Sequence, residues 1–262
     1  MRQSPKMRRT RGFGCLALLW ISAWALFAES QKALVTVQVE IVNPKVSKKT
    51  ASTGSRADSS NVAVWLTPIG ASTGSAATPP GHSAPQIAQI DKSFDPHVLV
   101  VQTGTAVQFP NRDPFLHNVF SLFDGRRFDL GFYESGSSKT VHFDRTGVSF
   151  LFCNIHPEMS AAVIAVDTPY FGLSSRVGHV TIPDVPDGRY QLNVWYERSL
   201  PEDLKSVSRV VTISEAGRTL ETIKVIENAN FSLENERPDS REYADDRLQF
   251  VEQQSSGSGL YR

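Results

Sequence analysis

Cys153-Asn154-Ile155-His156-Pro157-Glu158-Met159 lies between two apolar runs, 148–152 and 161–167, each of the length and composition of a buried strand. The stretch gathers a thiol, an imidazole and a thioether into one short loop. A single loop between two strands can therefore present three donors of the kind that soft transition metals take. A fourth donor has to arrive from a distant strand. The best placed is His117, in Phe115-Leu116-His117-Asn118-Val119-Phe120, where it follows a loop rich in Pro and Asp and opens another apolar run. The 36 residues between His117 and Cys153 are enough for the intervening strands to cross a sandwich and return. If these residues meet, the chain folds as an all-β sandwich.

The donor types narrow the metal. Two His and one Cys with a weak axial Met is the ligand pattern of copper sites with a thiolate bond. Structural zinc sites are closed tetrahedra of Cys and His that recruit no neutral thioether, so Met159 argues against zinc. The bland alternative makes Cys153 a buried core thiol, His156 a loop residue and Met159 a core filler. It leaves the spacing of the three unexplained. His82, His97, His142 and His179 have no donor beside them and are expected in surface or packing roles. The absence of a His-x-His pair argues against a trinuclear copper cluster, and with it against oxygen or nitrite chemistry; no enzyme activity is expected.

Ahead of this region Arg2, Lys6, Arg8, Arg9 and Arg11 precede an apolar run from Phe13 to Ala28 and the small residues Ala28 and Ser30. That order predicts a cleaved secretory signal over 1–30 and a periplasmic or otherwise exported product. An uncleaved anchor is the second reading, although the run is shorter than the ~20 residues a spanning helix needs. Of 27 basic and 27 acidic residues, five basic and one acidic lie in this segment, which leaves 22 against 26, or about −4. Such a product has no electrostatic footprint for nucleic acid. Cys15 departs with the signal, so Cys153 is the lone thiol of an exported chain, can make no internal disulfide and needs another occupation.

Segments 33–68 and 172–227 flank the metal region 86–167, with a linker at 69–85 rich in Gly, Ser, Thr and Ala and a polar tail at 228–262 expected to be mostly disordered. Val35, Val37, Val39 and Ile41 alternate with polar residues, and 62–67 reads as a second strand. An isolated pair of strands is marginal in water, so the two flanking segments are expected to combine into one sandwich with the metal module inserted between its halves. The alternative gives the first two strands to the metal module's own sheet.

The combination of His117-Asn118-Val119 with the Cys153-x2-His156-x2-Met159 loop resembles the cupredoxins of the plastocyanin and amicyanin type. The resemblance covers 86–167. It implies a Greek-key sandwich holding one type 1 (blue) copper ion, with His117, Cys153 and His156 as equatorial ligands and Met159 axial, carrying single electrons. The segment 182–192, with Pro186, Gly188 and Tyr190, resembles the strand pair of carboxypeptidase regulatory-like domains, which implies a second small Ig-like sandwich. The whole arrangement is similar to exported bacterial proteins labelled methylamine utilisation proteins. A redox protein such as a c-type cytochrome or a periplasmic dehydrogenase is the partner this implies. Copper handling, or a scaffold with structural copper, are the competing functions. Asn118 is expected to reach across to the ligand loop or to the Cys153 sulfur, unless it is simply a turn residue. Phe115, Leu116 and Pro157 are expected either to seal the site or to line a docking patch.

Overall fold

Alternating burial builds the first strand: in β1 (Lys32–Val42), Val35, Val37 and Val39 are inaccessible while the residues between them face outward. The structure, a computed structural model, describes residues 32–44, 58–70, 84–122, 125–228 and 230–231. The predicted signal, His82, and most of the predicted linker and tail lie outside the described residues. After β1 comes β2 (Ala63–Pro68). A succession of short strands follows: β3 (Ala88–Ile90), β4 (Ser93–Asp95), β5 (Val98–Gln102), β6 (Thr105–Pro110), β7 (His117–Ser121), β8 (Phe128–Tyr133), β9 (Ser138–Phe143), β10 (Gly147–Phe152) and β11 (Ser160–Val166). The chain continues through β12 (Phe171–Leu173), β13 (His179–Pro186), β14 (Gly188–Trp195), helix α1 (Pro201–Val207), β15 (Arg209–Ile213) and β16 (Thr219–Ile226). The protein is all-β apart from this one short helix among the described residues, and no described helix is long and apolar enough to cross a membrane.

Strands β3 to β11 form two layers. One is a mixed sheet in the order β5-β11-β10-β7-β8, in which β11 runs parallel to β5 and antiparallel to β10. The other is built from the pair β6-β9 and the hairpin β3-β4, joined by bridges from Gln86 to Gln108 and from Gln89 to Asn111. Between the layers lie Phe94, Val107, Phe109, Val119, Phe143, Leu151 and Val163, together with Cys153 and Met159.

The flanking segments pair with each other. β1 is the middle strand of a sheet in the order β13-β1-β16, with Val37 opposite both Val180 and Leu220. β2 is an inner strand of a second sheet, β12-β2-β14-β15. Val35, Val37, Leu66, Ile182, Leu192 and Ile223 fill the space between the two sheets. Tyr190 closes one corner of it by donating its hydroxyl to the Pro186 carbonyl at 2.8 Å.

A third apolar cluster joins the two sandwiches. Val98, Val100, Ile164 and Val166, from the outer faces of β5 and β11, meet Ala63, Trp65, Phe171, Leu173 and Trp195 from the flanking sheet. β11 is thus buried along its whole length, with Ala161, Val163 and Ala165 toward one core and Ile164 and Val166 toward the other. This is why its sequence is a continuous apolar run rather than an alternation.

Several elements depart from the sequence reading. Pro183 and Pro186 read in the sequence as turn residues, yet β13 runs through both. It lies at the edge of its sheet, where a proline withholds no ladder hydrogen bond, and it passes a register shift opposite Ala33 and Val35. The apolar residues from Ile87 suggest one strand; instead β3 and β4 form a hairpin around Asp91 and Lys92, whose φ values of 52° and 56° make the left-handed two-residue turn that tight hairpins favour. β12 and α1 are too short to show a period, whereas in β8 Phe128, Leu130 and Phe132 alternate with Asp129 and Gly131, a strand signal the sequence reading passed over. Leu192 is fully buried at the centre of β14, between β2 and β15. Leu192→Ala is expected to lower stability by about 2–5 kcal/mol in urea unfolding, since the surrounding strands cannot collapse into the space.

Candidate metal centre

Three donors meet at one end of the central sandwich. His117 opens β7, Cys153 directly follows β10, and His156 lies further along the loop from β10 to β11. Their ligand atoms all lie within 4.8 Å of one another. Nδ1 of His117 and Nδ1 of His156 each stand 3.8 Å from Cys153 Sγ. An ion about 2.3 Å from sulfur and about 2.0 Å from nitrogen, with donors spread at trigonal angles, separates them by about 3.7 Å. Both sulfur–nitrogen distances therefore match those of donors that share one metal ion. Met159 follows in the same loop; it is 1% exposed and packs in the same core as Cys153. Its amide donates to the His156 carbonyl at 3.0 Å, which closes the loop into a tight turn and carries the chain straight into β11.

The donors differ in exposure. His117 and Cys153 are fully buried, whereas His156 is half-buried. The pKa of His156 is lowered, first by burial and then by the neighbouring His117 and Lys92, so the neutral, ligating form of the imidazole is favoured.

Asp113 was not singled out in the sequence, yet it organises this end of the sandwich. Its Oδ2 accepts from Nε2 of His117 at 2.7 Å, in a position only 5% exposed. That contact fixes the tautomer that leaves Nδ1 facing the sulfur, the role a carboxylate plays behind many metal-bound imidazoles. The same carboxylate accepts from the amides of Asp91 at 2.7 Å and Lys92 at 3.0 Å, which pins the β3-β4 turn beside the site. Burial pushes its pKa upward, but the Lys92 amide, His117 and the Asp91 amide outweigh this and hold it below the ordinary carboxylate value. Asn111 braces the loop: its Oδ1 accepts from the Asp113 amide at 3.1 Å, and its Nδ2 donates to the Phe115 carbonyl at 2.8 Å and the Tyr133 carbonyl at 3.2 Å. The available signal was an acid four residues ahead of His117, in a segment that reads as ordinary turn chemistry.

The other named residues fall as follows. Asn118 is buried beside His117, and its side-chain amide donates to Asp129 Oδ1 on β8 at 2.7 Å, so the contact of that amide is with the neighbouring strand and not with the ligand loop. Phe115 packs its ring on both imidazoles, with centroids 5.2 Å from His117 and 5.6 Å from His156, while 37% of it stays exposed. It both covers the donors and faces solvent. Leu116 at 51% and Ile155 at 46% exposure extend this apolar surface. A shallow recess lined by Lys92, Phe115, Leu116, Ile155 and His156 forms its centre, with the Lys92 ammonium 5.7 Å over the Phe115 ring. Pro157 is exposed on the same loop but does not line the recess. Ile155 was not expected in this surface.

No protein-family model matches the chain, and no curated protein matches it. Solved structures similar to it include a purple cupredoxin from Nitrosopumilus maritimus, at 23% identity and a TM-score of 0.29, covering 31% of this chain and 99% of that one. They also include the oxidised state of a proline-to-alanine mutant of amicyanin, at 20% identity and a TM-score of 0.30, covering 32% of this chain and 82% of that one. The copper-containing nitrite reductase from Thermus scotoductus is a third, at 19% identity and a TM-score of 0.32, covering 49% of this chain and 28% of that one. The likeness is low in identity and partial in coverage.

Asp113→Asn keeps the size of the side chain and removes its charge. Metal affinity is expected to fall by about 10–100-fold in a competition titration, as on loss of other carboxylates that orient a ligand imidazole.

Proposed function

We propose that this protein is a periplasmic carrier of single electrons built around one type 1 copper ion, held by His117, Cys153 and His156 with Met159 as the weak axial donor. The observation that carries the reading is the meeting of two imidazole nitrogens, each 3.8 Å from one thiol sulfur, with a buried methionine in the same loop. Copper in such a set would supply one-electron chemistry, cycling between Cu(II) and Cu(I). The residues around it would hold the donors still. His117 is fixed by Asp113, Cys153 is buried in the core directly after β10, and Phe115 packs on both imidazole rings. A thiol that is buried among apolar side chains binds as thiolate once metal displaces its proton.

The mouth of the site supports a carrier rather than an enzyme. The recess is shallow and apolar, and the half-buried His156 is the donor nearest solvent. Such a surface suits brief contact with another redox protein, such as a c-type cytochrome or a periplasmic dehydrogenase, because weak electron-transfer encounters bury little area. The Lys92 ammonium at its rim would favour an acidic edge on that partner. We further propose that the flanking strands form one discontinuous domain, a second Ig-like sandwich into which the copper module is inserted; the pairing of β1 with β13 and β16, and of β2 with β12 and β14, supports this.

Loading with Cu(II) is expected to turn the protein intensely blue through thiolate-to-copper charge transfer, and Cys153→Ser to abolish the colour. A wild type that binds copper without colour would overturn the assignment. Met159→Leu is expected to keep the colour and raise the reduction potential, because a weak axial donor tunes potential more than it holds the ion. Phe115→Asp places a charge that is costly to desolvate at the centre of the apolar surface. It is expected to slow electron exchange with a purified c-type cytochrome in stopped-flow mixing while the blue absorption persists.

A further inference from the structure

A second titratable group outside the metal set lies where the two sandwiches meet. His97, between β4 and β5, bridges them: its Nε2 is 2.7 Å from Oε2 of Glu197, in the turn after β14, and its Nδ1 is 3.0 Å from the carbonyl oxygen of Ser160. Both partners are acceptors only, so the two contacts are hydrogen bonds together only when both ring nitrogens carry protons, in the imidazolium. Glu197 needs that cation. Its side chain is 8% exposed and its Oε1 has no hydrogen-bond partner. The neighbouring charges are otherwise engaged: Arg198 pairs with Glu227 at 2.9 Å, and Asp58 with Arg176 at 3.2 Å. Tyr196 is the remaining ionisable group lining the cavity of about 580 Å³ beside this pair.

Ser160 is the residue immediately after Met159 and the first of β11. The His97 carbonyl also accepts from the Ala162 amide at 2.9 Å, so His97 grips this strand at Ser160 and again at Ala162. We infer that Glu197, which belongs to the flanking sandwich, is a positioning residue for the metal loop: through the imidazolium of His97 it holds the Ser160 carbonyl and, next to it, the sulfur donor Met159. The inference rests on the reading of Met159 as a metal donor, and it gives the flanking sandwich a part in setting the metal site. The hydrogen bond to Glu197 raises the pKa of His97 against the opposing effect of burial. A raised folded-state value means that the bridge contributes fully below the ordinary histidine pKa and is lost as pH rises through the folded one.

The test uses the whole chain and two substitutions, Glu197→Ala and Glu197→Gln. In the metal-free wild type, the NMR resonance of the Met159 methyl group is expected to move as His97 loses its proton above the ordinary histidine range. Glu197→Ala is expected to lower the His97 midpoint and displace the methyl resonance at every pH. In Glu197→Gln the amide donates to Nε2 of a neutral His97 whose Nδ1–H still reaches the Ser160 carbonyl, so the methyl group is expected to keep its low-pH wild-type position throughout. In the copper-loaded protein the reduction potential is expected to follow the same three patterns. Glu197→Ala that lowers the melting temperature but leaves both methyl resonance and potential at wild-type values would overturn the inference, since Glu197 would then only tie the sandwiches together. A methyl resonance that responds as expected in a protein that never turns blue with copper would uphold the positioning role and overturn the copper assignment.

Discussion

Burial of β11 on both faces is the constraint on which the rest of the structure depends. Ala161, Val163 and Ala165 press into the core that contains Cys153 and Met159, and Ile164 and Val166 press into the seam with the flanking sandwich. Side chains alternate strictly along a strand, so a slip of one residue would exchange these two sets and ruin both packings at once. The register of β11 against β10 is therefore held from two sides. Because the ligand loop is the connection between these two strands, its span and direction are held with it. A loop of seven residues carrying three donors is only as well ordered as its two ends.

The site divides its donors by depth. His117 and Cys153 sit in the dry interior, with an anionic carboxylate behind the first, and His156 stands between that interior and the apolar recess. A charge change at a buried centre is felt strongly because little water is present to screen it, and Asp113 supplies a fixed negative counterweight at short range. The same carboxylate holds the turn that carries Lys92. One buried acid thus links the geometry of the metal donors to the charge at the mouth through which a partner would approach.

Much of the metal set was legible because its chemistry is local. Thiol, imidazole and thioether at fixed spacing mark their own loop, and His117 stood out as an imidazole opening an apolar run. The all-β class followed from short apolar runs broken by turn residues. What stayed illegible depends on partners remote in sequence. Asp113 reads as a turn residue until His117 folds back over it, and His97 lies 100 residues from Glu197, a distance at which no spacing argument operates. The hairpin turn at Asp91 and Lys92 carries neither Gly nor Asn; the Asp113 carboxylate supplies from outside what residue type usually supplies within. The course of β13 through two prolines makes sense only once its place at a sheet edge is known.

The tryptophans show what the seam makes observable. Of the four in the chain, two lie in the predicted signal, and the other two, Trp65 and Trp195, both pack in the cluster that joins the sandwiches, with Trp195 6.1 Å from the ring of Phe150. In a product lacking the predicted signal, the indole emission would come from the junction alone. Parting of the two sandwiches would wet both indoles and shift their emission to longer wavelength, while local unfolding of the metal loop would leave it unchanged. The fluorophores are placed so that light reports the joint.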